Sequence, residues 1–120
     1  MKTAGVAKLL RIFVGERDRG SGQPLYTAIV EKLRQAGLAG ATVFKGIEGY
    51  GEHARVHAAR VIDLASDLPI LIEVVDTEER IRAFLPALDA MVEEGLVTLE
   101  SVEFIRYTRA ESAAPSKGTR

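Results

Sequence analysis

Hydrophobic residues follow two different patterns along the chain, and the order of these patterns predicts the secondary structure. Runs rich in branched and aromatic residues are typical of β-strands, whereas apolar residues three and four positions apart are typical of helices. The first pattern predicts four strands, at Leu9–Val14, Thr42–Ile47, Pro69–Val75 and Val97–Tyr107. The second pattern predicts two helices, one between the first two strands and one between the last two.

Local signals mark the ends of the two predicted helices. The first begins at Pro24, because proline suits the first turn of a helix, and it ends near Gly37. Asp76 and Glu79 form a capping-box-like start to the second helix. That helix contains Pro86, and we expect a kink there, because a proline inside a helix removes one backbone hydrogen bond.

The predicted order of elements is β-α-β-β-α-β, which defines the fold class. Right-handed crossovers in the two β-α-β units place both helices on the same face of the sheet. We therefore predict an α+β, ferredoxin-like fold, with a four-stranded antiparallel sheet and two helices on one face. Residues 1–109 form this one domain. Residues 52–66 lack a clean period and are predicted to be a mobile loop, and the small, polar residues 110–120 a disordered tail.

The sheet face away from the helices is also apolar in this arrangement. On the first and third strands, every second residue is aliphatic, and we assign those sides to the helices. Each opposite side holds one charge, Arg11 and Glu73, and the two would pair across neighbouring strands. The face is either a wet surface with scattered apolar residues or a subunit interface that contains the ion pair. The interface would consist of Leu9, Arg11, Phe13, Leu71, Glu73 and Val75.

Composition narrows the classes of function. The chain has 120 residues, no cysteine and a formal net charge of -1, from 16 basic and 17 acidic residues. Without cysteine, disulfides, zinc–thiolate sites and thiol nucleophiles are excluded. The balanced charge gives no reason to expect a nucleic-acid partner, and no apolar run is long enough for membrane insertion. We expect a cytoplasmic protein, since the N-terminus has too short an apolar stretch for a signal peptide.

A glycine-rich segment follows the second predicted strand. Lys45 precedes Gly46, Gly49 and Gly51, and glycine allows backbone N–H groups to approach an anion closely. The spacing is not that of a Walker motif. The segment is therefore either a phosphate cradle or a strand that bends into a loop.

Two further pairs of residues are candidates for binding. Arg106 and Arg109 lie at the end of the last strand, and arginine forks suit phosphate, although an ordinary charged edge gives the same pattern. His53 and His57 would share a helix face and bind a metal, but no H-E-x-x-H signature surrounds them. Two solvated loop histidines are the simpler interpretation. No Gly-x-Ser-x-Gly elbow is present to indicate a nucleophilic serine.

Several ungapped blocks of the chain resemble a known family. In order, these blocks read PLYTAIVEKL, GLAGATVFKGIEGYG, DLPILIEVVDTEE, FLP and EGLVT. Together they cover about residues 8–108, and they resemble the uncharacterised PII-like family known as domain of unknown function 190.

The resemblance implies a PII-like signalling protein with a ferredoxin-like fold and a homotrimeric assembly. PII proteins bind adenine nucleotides in clefts between subunits and contact protein partners through the loop between the second and third strands. Here that loop is residues 52–66, with Arg55, His57 and Arg60 as the partner-facing side chains. The predicted ligand-binding residues are Lys45, Gly46, Gly49, Gly51, Arg106 and Arg109.

One loop departs from the pattern of the PII proteins. Their glycine-containing phosphate loop, between the second helix and the fourth strand, is replaced here by Glu93-Glu94-Gly95. Its carboxylates repel phosphate, so nucleotide binding is the open question. We predict a trimeric regulatory protein, not an enzyme, that binds a small anionic ligand such as an adenine nucleotide. The alternatives are a ligand-free interaction protein that regulates a transporter or an enzyme, and a small enzyme on the same scaffold.

Overall fold

The computed structural model describes residues 1–51 and 67–109, which form an antiparallel sheet with both helices on one face. The elements are, in chain order, β1 (Lys2–Gly15), β2 (Arg19–Gly20), β3 (Gln23–Pro24), α1 (Leu25–Gln35), β4 (Thr42–Lys45), β5 (Pro69–Asp76), α2 (Glu78–Met91) and β6 (Leu96–Tyr107). The main sheet has the strand order β4-β5-β1-β6, while β2 and β3 form a separate short hairpin. This topology confirms the predicted α+β, ferredoxin-like fold. The predicted loop 52–66 and tail 110–120 lie outside the described residues.

The core lies between the helices and the two central strands. On β1, Leu10, Ile12 and Val14 point towards the helices and are at most 6% exposed. They lie in register opposite the buried residues of β5, since Ile12 pairs with Ile72 and Leu10 with Val74. Burying each such side chain stabilises the fold by roughly 1.5–3 kcal/mol. The assignment of these residues to the helix-covered face is confirmed.

The prediction for the start of the first strand was wrong. β1 begins at Lys2 rather than at Leu9, and its first half pairs with β6 alone. β5 cannot pair with that half, because β5 ends at Asp76, opposite Lys8. The sequence signal is weak there because residues 2–6 are exposed and are held by cross-strand pairing rather than by burial. β6 is continuous through Ser101.

The start of α2 corrects a second prediction. The N-cap is Thr77, whose hydroxyl accepts a hydrogen bond from the Arg80 backbone N–H at 3.1 Å. The helix therefore does not begin at a capping box of Asp76 and Glu79. The Asp76 carboxylate is buried and accepts a hydrogen bond from the Ala39 backbone N–H at 2.8 Å. This hydrogen bond holds the connection between α1 and β4 against the end of β5.

Candidate functional site

The six predicted ligand-binding residues fall into two groups at opposite ends of the sheet. The lysine and the glycines lie at the end of β4 and just after it, whereas Arg106 and Arg109 lie at the end of β6 and just after it. Arg106 pairs with Thr3 near the start of β1, while Gly51 borders a cleft with Gly15 at the end of β1. Twelve strand residues span about 40 Å. One protomer therefore cannot bring the two groups to the same small ligand.

The cleft beside Gly51, called the Gly51 cleft from here on, has a volume of about 480 Å³. Its apolar walls come from the end of β1, the start of β5 and the start of β6, and three carboxylates lie among them. The two residues that flank the segment 52–66, Gly51 and Asp67, both border this cleft. The lining residues are Phe13, Val14, Gly15, Asp18, Tyr50, Gly51, Asp67, Pro69, Glu94, Gly95 and Leu96.

Two of the three carboxylates in the cleft also hold backbone in place. Asp18 accepts a hydrogen bond from the Gly15 backbone N–H at 2.9 Å, and Asp67 accepts one from the Arg17 backbone N–H at 3.1 Å. Among the residues that the structure describes, those lining the cleft include no lysine or arginine. The charged side chains of this described lining are therefore all carboxylates, which repel phosphate.

The three glycines of the predicted phosphate cradle have different structural roles. A Cβ atom on Gly46 would lie 2.9 Å from the Pro69 Cγ atom, and one on Gly49 would lie 3.1 Å from it. Gly49 also has a φ of 155°, near the edge of the region that favours glycine. Both glycines therefore let the chain pack around Pro69. Among the described residues, a Cβ on Gly51 would meet nothing within 4 Å, so Gly51 does not share the packing role of the other two glycines.

Lys45 makes a structural ion pair beside this cleft. Its Nζ atom lies 2.8 Å from Oε2 of Glu16 and links the end of β4 to the residue that follows β1. This hydrogen bond lowers the pKa of Glu16 and raises the pKa of Lys45. A ligand that recruits Lys45 must compete with Glu16, and the ligand-binding role of Lys45 remains a prediction.

The opposite end of the sheet is a two-stranded extension, called the ribbon here, made of residues 2–7 of β1 and 102–107 of β6. At Gly5, an added Cβ atom would lie 3.2 Å from the Phe104 ring, so the glycine lets this ring lie against β1. The guanidinium carbon of Arg106 lies 5.7 Å from the centroid of the same ring, a cation–π distance. The ring thus helps to hold Arg106 at the tip of the ribbon.

The helix-free face carries the predicted ion pair. Arg11 and Glu73 are direct cross-strand partners, and Arg11 Nε lies 3.0 Å from Glu73 Oε2. Glu100 adds a second contact, at 3.4 Å from Arg11 Nη1. The sequence analysis missed Glu100 because the register between β1 and β6 has no signal within either strand. The apolar members of the predicted interface lie beside the ion pair, as Leu9 opposite Val75 and Phe13 opposite Leu71.

Several predicted functional residues lie outside the described part of the chain. These are His53 and the three candidate partner contacts Arg55, His57 and Arg60. Within residues 1–51 and 67–109, no three histidine or acidic side chains cluster in a way that could hold a metal ion. No helix in these two ranges is long and apolar enough to cross a membrane.

Comparison with known proteins identifies the family. Residues 7–104 match the family model DUF190, "Uncharacterized ACR". A UPF0166 protein of Aquifex aeolicus is 42% identical over 98 residues, which cover 82% of this chain and 92% of that protein. A UPF0166 protein of Methanocaldococcus jannaschii is 39% identical over 94 residues, which cover 78% of this chain and 86% of the relative.

Solved structures of PII-like proteins share the fold. CPII from Thiomonas intermedia, bound to ADP, AMP and acetate, is similar with a TM-score of 0.54 and 20% identity, over 85% of this chain and 91% of that one. A putative PII-like signalling protein from Thermus thermophilus gives a TM-score of 0.55 at 19% identity, over 86% and 91% of the two chains. The chain belongs to the uncharacterised DUF190 family, and its fold is that of the PII-like proteins.

Proposed function

We propose that this chain is a cytoplasmic regulatory protein of the PII-like kind, rather than an enzyme, which forms a homotrimer and senses a small anionic ligand. One observation carries the proposal: the residues on both sides of the segment 52–66 border the Gly51 cleft. A ligand in this cleft would contact Gly51 and Asp67 and so act on both ends of the segment. Binding would thereby change what the segment, with Arg55, His57 and Arg60, presents to a protein partner.

Adenine nucleotides are the ligand class to test first. CPII, which has a similar fold, has been solved with ADP and AMP. Because the predicted residues lie about 40 Å apart in one protomer, the site needs two protomers. Lys45 and the glycines would come from one, and Arg106 and Arg109 from the next.

The helix-free face is the proposed trimer interface. Its apolar residues Leu9, Phe13, Leu71 and Val75 surround the ion pair of Arg11 with Glu73. Leu9 is only 9% exposed in the single chain while Val75 is 41% exposed, so burying the remaining exposed surface of these four side chains contributes less than the roughly 1.5–3 kcal/mol of a fully exposed one, before the cost of association is subtracted. The ion pair adds little net free energy, since desolvation offsets its attraction, and its role is to fix which faces meet.

Three measurements test this proposal. Light scattering should give the mass of a trimer at micromolar concentration, and a monomer would refute the assembly. Isothermal titration with ATP, ADP, AMP and cyclic dinucleotides should give heat with at least one of them. Hydrogen exchange within residues 52–66 should change in the presence of that nucleotide. If none of the nucleotides gives heat, the proposal that the ligand is a nucleotide is wrong.

A second function is favoured by the carboxylates in the described lining of the Gly51 cleft. Three carboxylates and no cation in the described lining oppose phosphate, which fits a ligand-free interaction protein that regulates a transporter or an enzyme. A thermal-shift screen separates the two functions, because a ligand that binds only the folded state raises the melting temperature. A nucleotide that raises it supports the sensor.

A further inference from the structure

The half of β1 that lies in the ribbon directs every second residue away from β6. Met1 and Thr108 exchange two backbone hydrogen bonds, at 2.6 and 2.9 Å. Because the direction of the backbone groups alternates along a strand, the odd-numbered residues in this half of β1 bond to β6. The even-numbered residues direct their N–H and C=O groups to the other side, which is the side of β5; these residues are Lys2, Ala4 and Val6.

A groove lies along this edge of the ribbon, beyond the end of β5. The pairing of β5 with β1 stops where Asp76 lies opposite Lys8, so it does not reach Val6. The groove has a volume of about 990 Å³, and its lining includes Val6, Val75 and Asp76. Among the described residues no strand continues along this edge. Such an edge is a template for another extended chain.

The edge lies outside the part of the chain that matches the family. The family model matches from residue 7 onwards, whereas β1 begins at Lys2. These first residues of β1 are exposed, and Val6 is 73% exposed. A two-stranded ribbon by itself is only marginally stable in water, and three or more strands are needed for independent stability. A further strand on this edge would therefore stabilise the ribbon.

The backbone of this edge is complementary to a second copy of itself. When two ribbons lie antiparallel with their Ala4 residues opposite each other, Lys2 of each copy lies opposite Val6 of the other. Each of these pairs exchanges two N–H···O=C hydrogen bonds, which makes six in all. A shift of the register leaves at least one of the three residues without a partner, so this register uses the edge completely.

The side chains are complementary in the same register. Opposite residues share a face, so Lys2 of one copy lies beside Val6 of the other, which in turn pairs with Glu103. Lys2 and Glu103 are then two strands apart, about 10 Å between Cα atoms, and their side chains meet above Val6. The aliphatic part of the lysine covers this exposed valine. The two-fold symmetry forms this contact twice.

We propose that two copies of the chain pair through their ribbon edges, antiparallel about a two-fold axis at Ala4, and so form a four-stranded sheet. This inference goes beyond the proposed function and does not rest on it, because the proposed trimer is three-fold and uses the helix-free face. A two-fold contact cannot relate two protomers of one such trimer, so it links protomers of different trimers. Each copy has one such edge, and the contact therefore joins copies in pairs.

Single-cysteine variants test the pairing, because the chain has no cysteine of its own. In Ala4→Cys, the two Cα atoms of a pair lie about 5.5 Å apart, within the range of a disulfide. In Lys2→Cys and in Val6→Cys they lie about 14 Å apart, which a disulfide does not span. Oxidation should link Ala4→Cys into dimers at least about tenfold faster than either control. A mixture of Lys2→Cys and Val6→Cys should form the mixed dimer.

The outcomes of the cross-linking separate the pairing from the proposed trimer. Ala4→Cys that links no faster than the controls overturns the pairing, and absence of the mixed dimer overturns its register. If light scattering of the wild type gives a trimer while Ala4→Cys stays unlinked, the pairing is wrong and the trimer stands. If Ala4→Cys is linked and the wild type forms dimers and no trimer, the pairing is supported and the trimer is wrong.

Amide hydrogen exchange followed by NMR separates a second copy from other occupants of the edge. Exchange at Ala4 and Val6 should slow as the protein concentration rises, whereas exchange at Thr3 and Gly5, which bond to β6, should not change. Slow exchange at Ala4 and Val6 at every concentration would show that a segment of the same chain covers the edge. Fast exchange at every concentration would leave the edge open to a different protein. Either result overturns the proposal.

Discussion

The two faces of the sheet are built from the same strands, yet they differ in how completely the chain covers them. Under the helices, Ile12 and Ile72 are fully buried and lie among other aliphatic residues. On the opposite face, Val75 is 41% exposed, and the side chains of Arg11 and Glu73 are 38% and 29% exposed. Alternation along a strand forces both faces to exist, but the chain has helices to cover only one of them.

The helix-free face is apolar, partly exposed and contains an ion pair, and folding of the single chain does not account for that combination. Aliphatic residues under helices are explained by folding alone. Arg11, held between Glu73 and Glu100, sits among apolar neighbours in a place where folding of the single chain leaves water access. Assembly through this face is the explanation that we propose. Substitutions on the two faces of the sheet test it, and two further experiments test the residues at the end of β4.

The largest expected contrast comes from placing a carboxylate on each face. Ile72→Asp should prevent folding, because an unpaired charge in the core costs several kcal/mol. Val75→Asp should leave a folded protomer that no longer assembles. Circular dichroism reports the folding and light scattering the assembly. A Val75→Asp protein with the assembly of wild type would show that the interface lies elsewhere.

Removing one partner of the ion pair should have the next largest effect. Glu73→Ala should weaken assembly by about 3–5 kcal/mol if Arg11 is buried between subunits, and by less than about 1 kcal/mol if the face is wet. The matched control is Glu78→Ala, which removes a contact of 2.8 Å to Arg82 Nε on exposed α2. This control should not change assembly. If the assemblies of the two variants have equal dissociation constants, the helix-free face is a solvent-exposed surface and not the interface.

A pair of glycine substitutions sharpens the difference between structural and binding positions. Gly46→Ala should destabilise the fold by about 1–3 kcal/mol, because the new methyl group meets Pro69 at 2.9 Å. In Gly51→Ala the new methyl group meets no described residue within 4 Å, and the substitution should leave the urea midpoint unchanged. If a nucleotide binds, Gly51→Ala should weaken that binding. Equal urea midpoints for the two variants would contradict the role assigned to Pro69.

The smallest expected effect concerns the exposed ion pair of Lys45 with Glu16. The hydrogen bond from Lys45 lowers the pKa of Glu16 in the folded protein, so the unfolded chain binds a proton more readily at that group. The pair therefore stabilises the fold above the unfolded pKa of Glu16, and its contribution is lost as pH falls through the lowered value. Lys45→Gln should have a shallower loss of stability in acid than wild type. Identical acid limbs in urea titrations would show that the pair contributes nothing.

The strand and helix patterns of the sequence predicted the fold class because they depend on local periodicity. The alternation in β1 and β5 placed the aliphatic residues correctly under the helices, and the topology rules made Arg11 and Glu73 neighbours. The same reasoning was wrong at Lys2, because residues 2–6 are exposed and are held by pairing with β6 rather than by burial. It was also wrong at Asp76, because the carboxylate bonds to Ala39, which is remote in sequence.

For the candidate site, the sequence predicted which residues could bind an anion but not where those residues lie relative to one another. It identified the glycines after β4 and the arginines at the end of β6, since those residues are chemically suited to anions. The structure shows that the two groups lie at opposite ends of a long strand, and that Gly46 packs on Pro69 while a Cβ on Gly51 would meet no described residue within 4 Å. The hydrophobic pattern of a segment reflects interactions among residues that are close in sequence. Strand register and packing across the sheet are set by contacts between residues far apart in the chain.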